Sequence, residues 1–120
     1  MNRKWIFLAV GWTLGILIAC TIPGSSVSDT GWDLFEYDKL AHFSLFAGYG
    51  WLWMKALPTS LGRRTLIVGG TGLAYAIATE LYQGILPWER IPDPLDALAN
   101  TLGLLAALLI FRISMRSQAD

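Results

Sequence analysis

The sequence predicts an all-α, polytopic membrane protein, a bundle of four transmembrane helices in a single domain over residues 1–120. Hydrophobic residues make up 54% of the chain, and its mean hydropathy is +0.48. A soluble domain this small needs a larger polar share to cover its surface. The apolar residues also form four runs of about 17–23 residues, which is the length that crosses a hydrocarbon core of about 30 Å.

The first predicted span covers residues 5–22 and stops at Pro23-Gly24, before a loop that is too polar to cross a membrane. Two interpretations of this span are open. The basic residues before it resemble the start of a signal sequence, and Leu17-Ile18-Ala19-Cys20 resembles a lipobox in which Cys20 would be lipidated after cleavage. The favoured interpretation is an uncleaved helix with Cys20 near its outer end. Both interpretations leave the following loop on the same side of the membrane.

Prolines separate the remaining three predicted spans, which cover residues 40–57, 65–87 and 95–111. Pro58 follows the second span and Pro87 closes the third. Pro94 precedes the fourth, where it suits the first helical turn because that position needs no backbone N–H donor. The sequence has no Gly-rich phosphate loop, cysteine pair or His-x-x-x-His spacing, so we expect no cofactor.

Basic residues flank the four spans unequally. Those on one predicted side are Arg3, Lys4, Lys55, Arg63, Arg64, Arg112 and Arg116. The opposite side receives only Lys39 and Arg90, together with most of the acidic residues. The positive-inside rule therefore predicts that both termini lie in the cytoplasm. Nine basic residues balance nine acidic ones, so the composition gives no reason to expect a nucleic-acid partner.

Five ionisable or amide side chains lie inside otherwise apolar runs, close to the predicted outer side: His42, Glu80, Gln83, Asp96 and Asn100. A charge at the centre of a membrane helix costs about 2.5–3.5 kcal/mol on insertion scales. Each residue alone has a structural interpretation, such as an interhelical hydrogen bond or a helix cap. Together they favour an outward-facing polar pocket, because ionisable groups within a membrane usually serve a function.

The spacing of these residues predicts the helix faces that they occupy. Asp38 and His42 are four residues apart, so the carboxylate is expected to orient the imidazole. Glu80 continues a stripe of small residues that includes Gly72 and lets a neighbouring helix approach closely. We therefore expect Glu80 on a packing face, where its carboxyl is at least partly neutral or tied to Arg90.

The chain contains, in order, the motifs Asp38-Lys39-x-x-His42, Glu80-x-x-Gln83, Arg90 and Asp96-x-x-x-Asn100-x-x-Gly103. Each motif is short, but their ordered combination resembles the pattern of the VanZ-like family. That family is named for an accessory protein associated with low-level resistance to teicoplanin, a glycopeptide antibiotic. The resemblance implies a multi-pass inner-membrane protein of the bacterial cell envelope. It implies neither a mechanism nor antibiotic resistance for this chain.

Two classes of function fit the predicted pocket. A binding or modulating protein would hold an envelope lipid or a lipid-linked cell-wall intermediate, with Lys39 and Arg90 on its phosphate. The candidate ligand-binding residues are Asp38, Lys39, His42, Glu80, Gln83, Arg90, Asp96 and Asn100. A membrane enzyme would instead use His42, Glu80 and Asp96 as acid–base groups or metal ligands.

We expect no metal, because one histidine with carboxylates is a poor zinc set. A proton- or ion-coupled carrier ranks last, because the polar groups provide only half of a path across the membrane. The sequence therefore favours the binding protein, with the enzyme as the alternative.

Overall fold

The structure, a computed structural model, describes residues 3–21, 34–85 and 94–119, and the side chains of 34–38 and 119 lie outside the description. The described residues form four helices and no strand: α1 (Arg3–Thr21), α2 (Leu34–Ala56), α3 (Leu61–Gly84) and α4 (Pro94–Ala119). The all-helical prediction is confirmed. Two of the helices, Arg3–Thr21 and Pro94–Gln118, are long and apolar enough by length and composition to cross a membrane.

Each helix begins before its predicted span, whereas α1, α2 and α3 end one, one and three residues before the predicted ends. α2 begins at Leu34 rather than at 40, and α4 ends at Ala119 rather than at 111. Hydropathy marks only the apolar part of a helix, whereas backbone hydrogen bonding continues into the polar residues beside it. α3 begins at Leu61 rather than at 65, because Ser60 Oγ accepts the Arg63 backbone N–H at 3.3 Å and caps the first turn.

The helices alternate in direction along the chain. Lys39, near the start of α2, contacts Asp96 near the start of α4, so these two helices run parallel. Arg64, near the start of α3, donates Nη1 to the carbonyl oxygen of Met54 near the end of α2 at 2.8 Å. α3 therefore runs in the opposite direction to α2 and α4.

The bundle has two chemically different ends as a result. At the polar end lie the starts of α2 and α4 and the ends of α1 and α3, where Gln83 Nε2 donates to the Cys20 carbonyl oxygen at 3.4 Å. The acidic side chains that the structure describes, Glu80 and Asp96, both lie at this end. The basic end is the opposite one, and its basic residues are Arg3, Lys4, Lys55, Arg63, Arg64, Arg112 and Arg116.

α2 and α4 make the most extensive helix contact, and Gly103 allows their backbones to approach closely. A Cβ atom added to Gly103 would overlap the Phe43 carbonyl oxygen and would lie 2.8 Å from its carbonyl carbon. Only a residue without a side chain permits this approach. The crossing lies beside His42 and Asn100, so it brings these two polar side chains of α2 and α4 within hydrogen-bonding distance.

α1 is joined to the bundle by hydrogen bonds as well as by packing. Trp12 Nε1 donates to the Leu45 carbonyl oxygen at 2.7 Å, and the Tyr75 hydroxyl donates to the Thr13 carbonyl oxygen at 2.7 Å. Cys20 is 4% exposed and belongs to the buried core. In the structure the first helix thus packs as part of the four-helix bundle.

Replacing Arg64 with lysine is expected to destabilise the protein by about 1–2 kcal/mol. The Arg64 guanidinium donates to the Met54 carbonyl oxygen and lies 5.7 Å from the centre of the Phe111 ring, and an ammonium lacks the planar geometry to do both. Arg63→Lys is the matched control, because Arg63 is exposed. The measurement is the free energy of unfolding in mixed micelles. Equal effects of the two substitutions would contradict this role for Arg64.

Candidate functional site

The centre of the polar end is an ion pair between α2 and α4. Lys39 Nζ donates to Asp96 Oδ1, and the two side chains are 20% and 5% exposed. The pair forms because α2 and α4 run parallel and place their first turns side by side. The lysine keeps some access to the surroundings, whereas the carboxylate is enclosed. Lys39 was predicted to contact a ligand phosphate, and in the structure its ammonium binds Asp96.

His42 lies one turn deeper and faces α4 with both ring nitrogens. Its Nδ1 is 2.8 Å from Asn100 Oδ1, and its Nε2 is 3.7 Å from Asp96 Oδ2. Because Asn100 Oδ1 is an acceptor, Nδ1 carries the proton in this arrangement. Nε2 is then the ring atom within ion-pair distance of the carboxylate. Asp96 therefore stands between two cationic or potentially cationic groups of α2.

Glu80 and Gln83 extend from α3 toward the same end, and they are 8% and 1% exposed. A Cβ atom added to Gly72 would lie 2.7 Å from Leu104 Cδ2, so Gly72 of α3 and Leu104 of α4 lie at the same height along the bundle axis. Glu80 and Asp96 are each two turns from that level toward the polar end. Helix register therefore places the two carboxyl groups at a similar height. Gln83 is different, because its amide binds the α1 backbone.

Two buried amide atoms at the polar end have no hydrogen-bond partner among the described residues: Asn100 Nδ2 and Gln83 Oε1. Asn100 is 0% exposed and Gln83 is 1% exposed. An unsatisfied buried donor or acceptor costs about 1–3 kcal/mol, so such groups normally have a partner. One donor and one acceptor are thus available to a polar molecule that enters this end of the bundle.

The structure brings four of the predicted site residues into one connected cluster, which we call the α2–α4 cluster: Lys39, His42, Asp96 and Asn100. The side chain of Asp38 and all of Arg90 lie outside the described residues, so orientation of His42 by Asp38 and pairing of Glu80 with Arg90 stay predictions. Within the described part of the chain, no group of three His, Cys, Asp or Glu side chains is placed to hold a metal ion.

Sequence reasoning missed two partners of the site. Opposite charges near the starts of the second and fourth spans could have suggested the Lys39–Asp96 pair, once those helices were known to be parallel neighbours. The Cys20 carbonyl oxygen, which accepts from Gln83, could not have been found, because a backbone carbonyl leaves no signal in the residue type.

The comparisons with known proteins agree with the motifs. The family model described as VanZ/LLP1 matches residues 12–115, a range that contains every member of the α2–α4 cluster and both α3 residues. No curated protein and no solved structure matches the chain.

Proposed function

Since this chain belongs to the VanZ/LLP1 family, we propose that it is a four-span protein of the bacterial inner membrane that binds the polar head group of an envelope lipid. A lipid-linked cell-wall intermediate is the second candidate ligand of this class. Binding takes place at the polar end, and its role is to hold or modulate the lipid. The observation that carries the proposal is the enclosed α2–α4 cluster, together with the amide atoms of Asn100 and Gln83 that have no partner among the described residues.

The proposed topology places both termini on the cytoplasmic side. The separation of charge between the two ends of the bundle supports it, because basic residues are retained on the cytoplasmic side of membrane proteins. The polar end then faces outward, where envelope lipids carry their head groups.

In the proposed complex, the partly exposed Lys39 ammonium moves from Asp96 to the lipid phosphate, and Asp96 keeps its contact with His42. An ammonium binds phosphate as a point charge and tolerates several orientations of the head group. Asn100 Nδ2 and Gln83 Oε1 are the donor and acceptor for hydroxyl or amide groups of the ligand. Arg90, which lies between α3 and α4 in the sequence, is the second proposed phosphate contact.

Binding is favoured over the alternative function, a membrane enzyme with His42, Glu80 and Asp96 as acid–base groups. A general base needs a nitrogen directed at the proton that it removes. His42 directs both ring nitrogens at α4 instead, one toward Asn100 and one toward Asp96. This arrangement is better suited to holding the imidazole in place than to transferring a proton to or from a lipid.

A change in glycopeptide susceptibility is the proposed cellular consequence, because sequestering a lipid-linked intermediate alters the amount of the antibiotic's target. The chain is expressed in a susceptible bacterium, and the minimal inhibitory concentration of teicoplanin is compared with that of an antibiotic of unrelated target. An equal effect on both drugs would contradict a specific link.

Lys39→Gln is expected to lower retention of a polyprenyl phosphate about tenfold, because it removes a charged contact to the phosphate. The measurement is native mass spectrometry of the full chain in nanodiscs that contain excess phosphatidylglycerol to occupy weaker anion sites. Lys39→Arg keeps the charge and is expected to retain the lipid. Arg116→Gln, at the basic end, controls for net charge. Unchanged retention in a folded Lys39→Gln protein would refute the proposal.

A further inference from the structure

The basic end of the bundle concentrates positive charge, since it holds all the basic side chains that the structure describes except Lys39. Two of its cations serve the fold: Arg64 binds the Met54 carbonyl oxygen, and Arg112 Nη1 donates to Thr65 Oγ1 at 3.0 Å. Two lysines are placed differently, because their ammonium groups lie at the surface where the start of α1 meets the end of α2.

Lys4 and Lys55 share the indole ring of Trp5. Lys55 Nζ lies 5.3 Å from the centre of that ring and 5.7 Å from the centre of the Trp51 ring, and Lys4 Nζ lies 5.5 Å from the Trp5 ring. Lys55 makes no ion pair with the described residues. The face of an indole ring attracts an ammonium group without accepting conventional hydrogen bonds from it. The N–H groups of Lys55 can therefore donate hydrogen bonds to an anion. Indole rings are also typical of the depth at which lipid head groups lie.

An apolar groove of about 350 Å³ begins one turn from Lys4 and runs along α1. It is lined by Phe7, Leu8, Gly11, Trp12, Gly15 and Leu45. The α1 members lie three, four, seven, eight and eleven residues after Lys4, which places them on the same helix face as that lysine. A Cβ atom added to Gly11 or Gly15 would meet nothing within 4 Å, so the floor of the groove is open.

The length of this face matches one leaflet of a bilayer. From Lys4 to Gly15 the helix rises about 16 Å at 1.5 Å per residue, which is close to half of a 30 Å hydrocarbon core. A positive charge thus stands at one end of a groove that is as long as one acyl chain. A helix from a second copy of the chain would extend through both leaflets, whereas the groove matches only one. Such a helix would also not require the cations at one end of the groove.

We propose that Lys4 and Lys55 bind the phosphate of an anionic phospholipid whose acyl chain occupies the α1 groove. The site lies at the basic end, so it is separate from the α2–α4 cluster. It selects the lipid by head-group charge and holds it by apolar contact, with Gly11 and Gly15 leaving room for the chain. The bound lipid fills a surface that the described part of the chain leaves uncovered.

The first test measures lipid selectivity by native mass spectrometry of the full chain with equal amounts of phosphatidylglycerol and phosphatidylcholine of identical acyl chains. The double variant Lys4→Gln/Lys55→Gln is expected to lower the retained ratio of phosphatidylglycerol to phosphatidylcholine about tenfold. Arg63→Gln/Arg116→Gln removes two exposed charges from the same end and is expected to lower it less than about twofold. Equal losses in the two double variants would overturn the proposal, because the attraction would then belong to the whole basic end.

The second test fills the groove. Gly15→Leu is expected to reduce retention of both phospholipids, whereas Gly70→Leu, which also adds a side chain in open space but on α3, is expected to leave it unchanged. If the unsubstituted chain self-associates, and Gly15→Leu abolishes that association while lipid retention is unchanged, the proposal is overturned and the groove is a self-association surface. If glycerol phosphate displaces the bound phospholipid as strongly as the whole lipid does, the proposed role of the acyl chain is overturned.

These results are distinguishable from those at the polar end. The four substitutions of the basic end leave Lys39 and Asp96 intact, so retention of polyprenyl phosphate at the polar end is expected to persist in all of them. A failure of either proposal therefore leaves the other one standing.

Discussion

Gly103→Ala is expected to destabilise the protein by about 3 kcal/mol, at the upper end of what overpacking usually costs. The added methyl group would overlap the Phe43 carbonyl oxygen, and backbone cannot rotate away as a side chain can. α2 and α4 would have to separate at the point where they approach most closely. That separation also pulls Asn100 away from His42, so the substitution is expected to weaken lipid binding at the polar end along with stability.

Gly70→Ala is the matched control for this prediction. A Cβ atom added at Gly70 would meet nothing within 4 Å, so the substitution is expected to be neutral or to stabilise by about 0.5–1 kcal/mol through helix propensity. Both variants are unfolded by titration with a denaturing detergent, and their free energies of unfolding are compared. If the two values agree within about half a kcal/mol, α2 and α4 do not pack as described.

Asp96→Leu is expected to destabilise the protein by about 3 kcal/mol, because it leaves the Lys39 ammonium and the His42 ring without the carboxylate between them. Removing one partner of an enclosed ion pair costs more than the pair contributes, since the remaining charge stays poorly solvated. Lys39 is 20% exposed and can turn toward polar surroundings, so its part of the loss is expected to be smaller than that of a fully buried lysine.

The double variant Lys39→Met/Asp96→Leu tests this explanation. It replaces the pair by apolar side chains and is expected to recover most of the stability that Asp96→Leu loses, while lipid binding stays low. The free energies of the single and double variants form a double-mutant cycle, whose coupling energy reports the Lys39–Asp96 interaction. A coupling energy near zero would mean that the two side chains do not pair in the folded protein.

The helical content followed from the sequence because it depends on local properties. Runs of apolar residues between Pro23, Pro58, Pro87 and Pro94 predicted the number of helices and most of their extent. The ends were less predictable: α2 begins six residues before its apolar run, because hydrogen bonding along the backbone does not require apolar side chains.

The candidate residues were also visible in the sequence, since a histidine, two acids and two amides are conspicuous among apolar neighbours. Their pairing was not. The contacts described for the His42 ring come from Asn100 and Asp96 of α4, and spacing within one helix does not indicate such partners. Orientation of His42 by Asp38 stays a prediction, because the Asp38 side chain lies outside the described residues. Gln83 was grouped with the same pocket, and its amide binds the backbone of α1.

Four helices, their chemically unequal ends and the residues of the candidate site could all be predicted from the order of the amino acids. Hydropathy, charge and proline are properties of single segments, so each acts before the helices meet. Which side chains touch depends on the packing of the bundle, because the relative height and rotation of two helices follow from how closely their surfaces fit. Gly103 against Phe43 sets that fit for α2 and α4, and it thereby makes partners of residues about sixty positions apart.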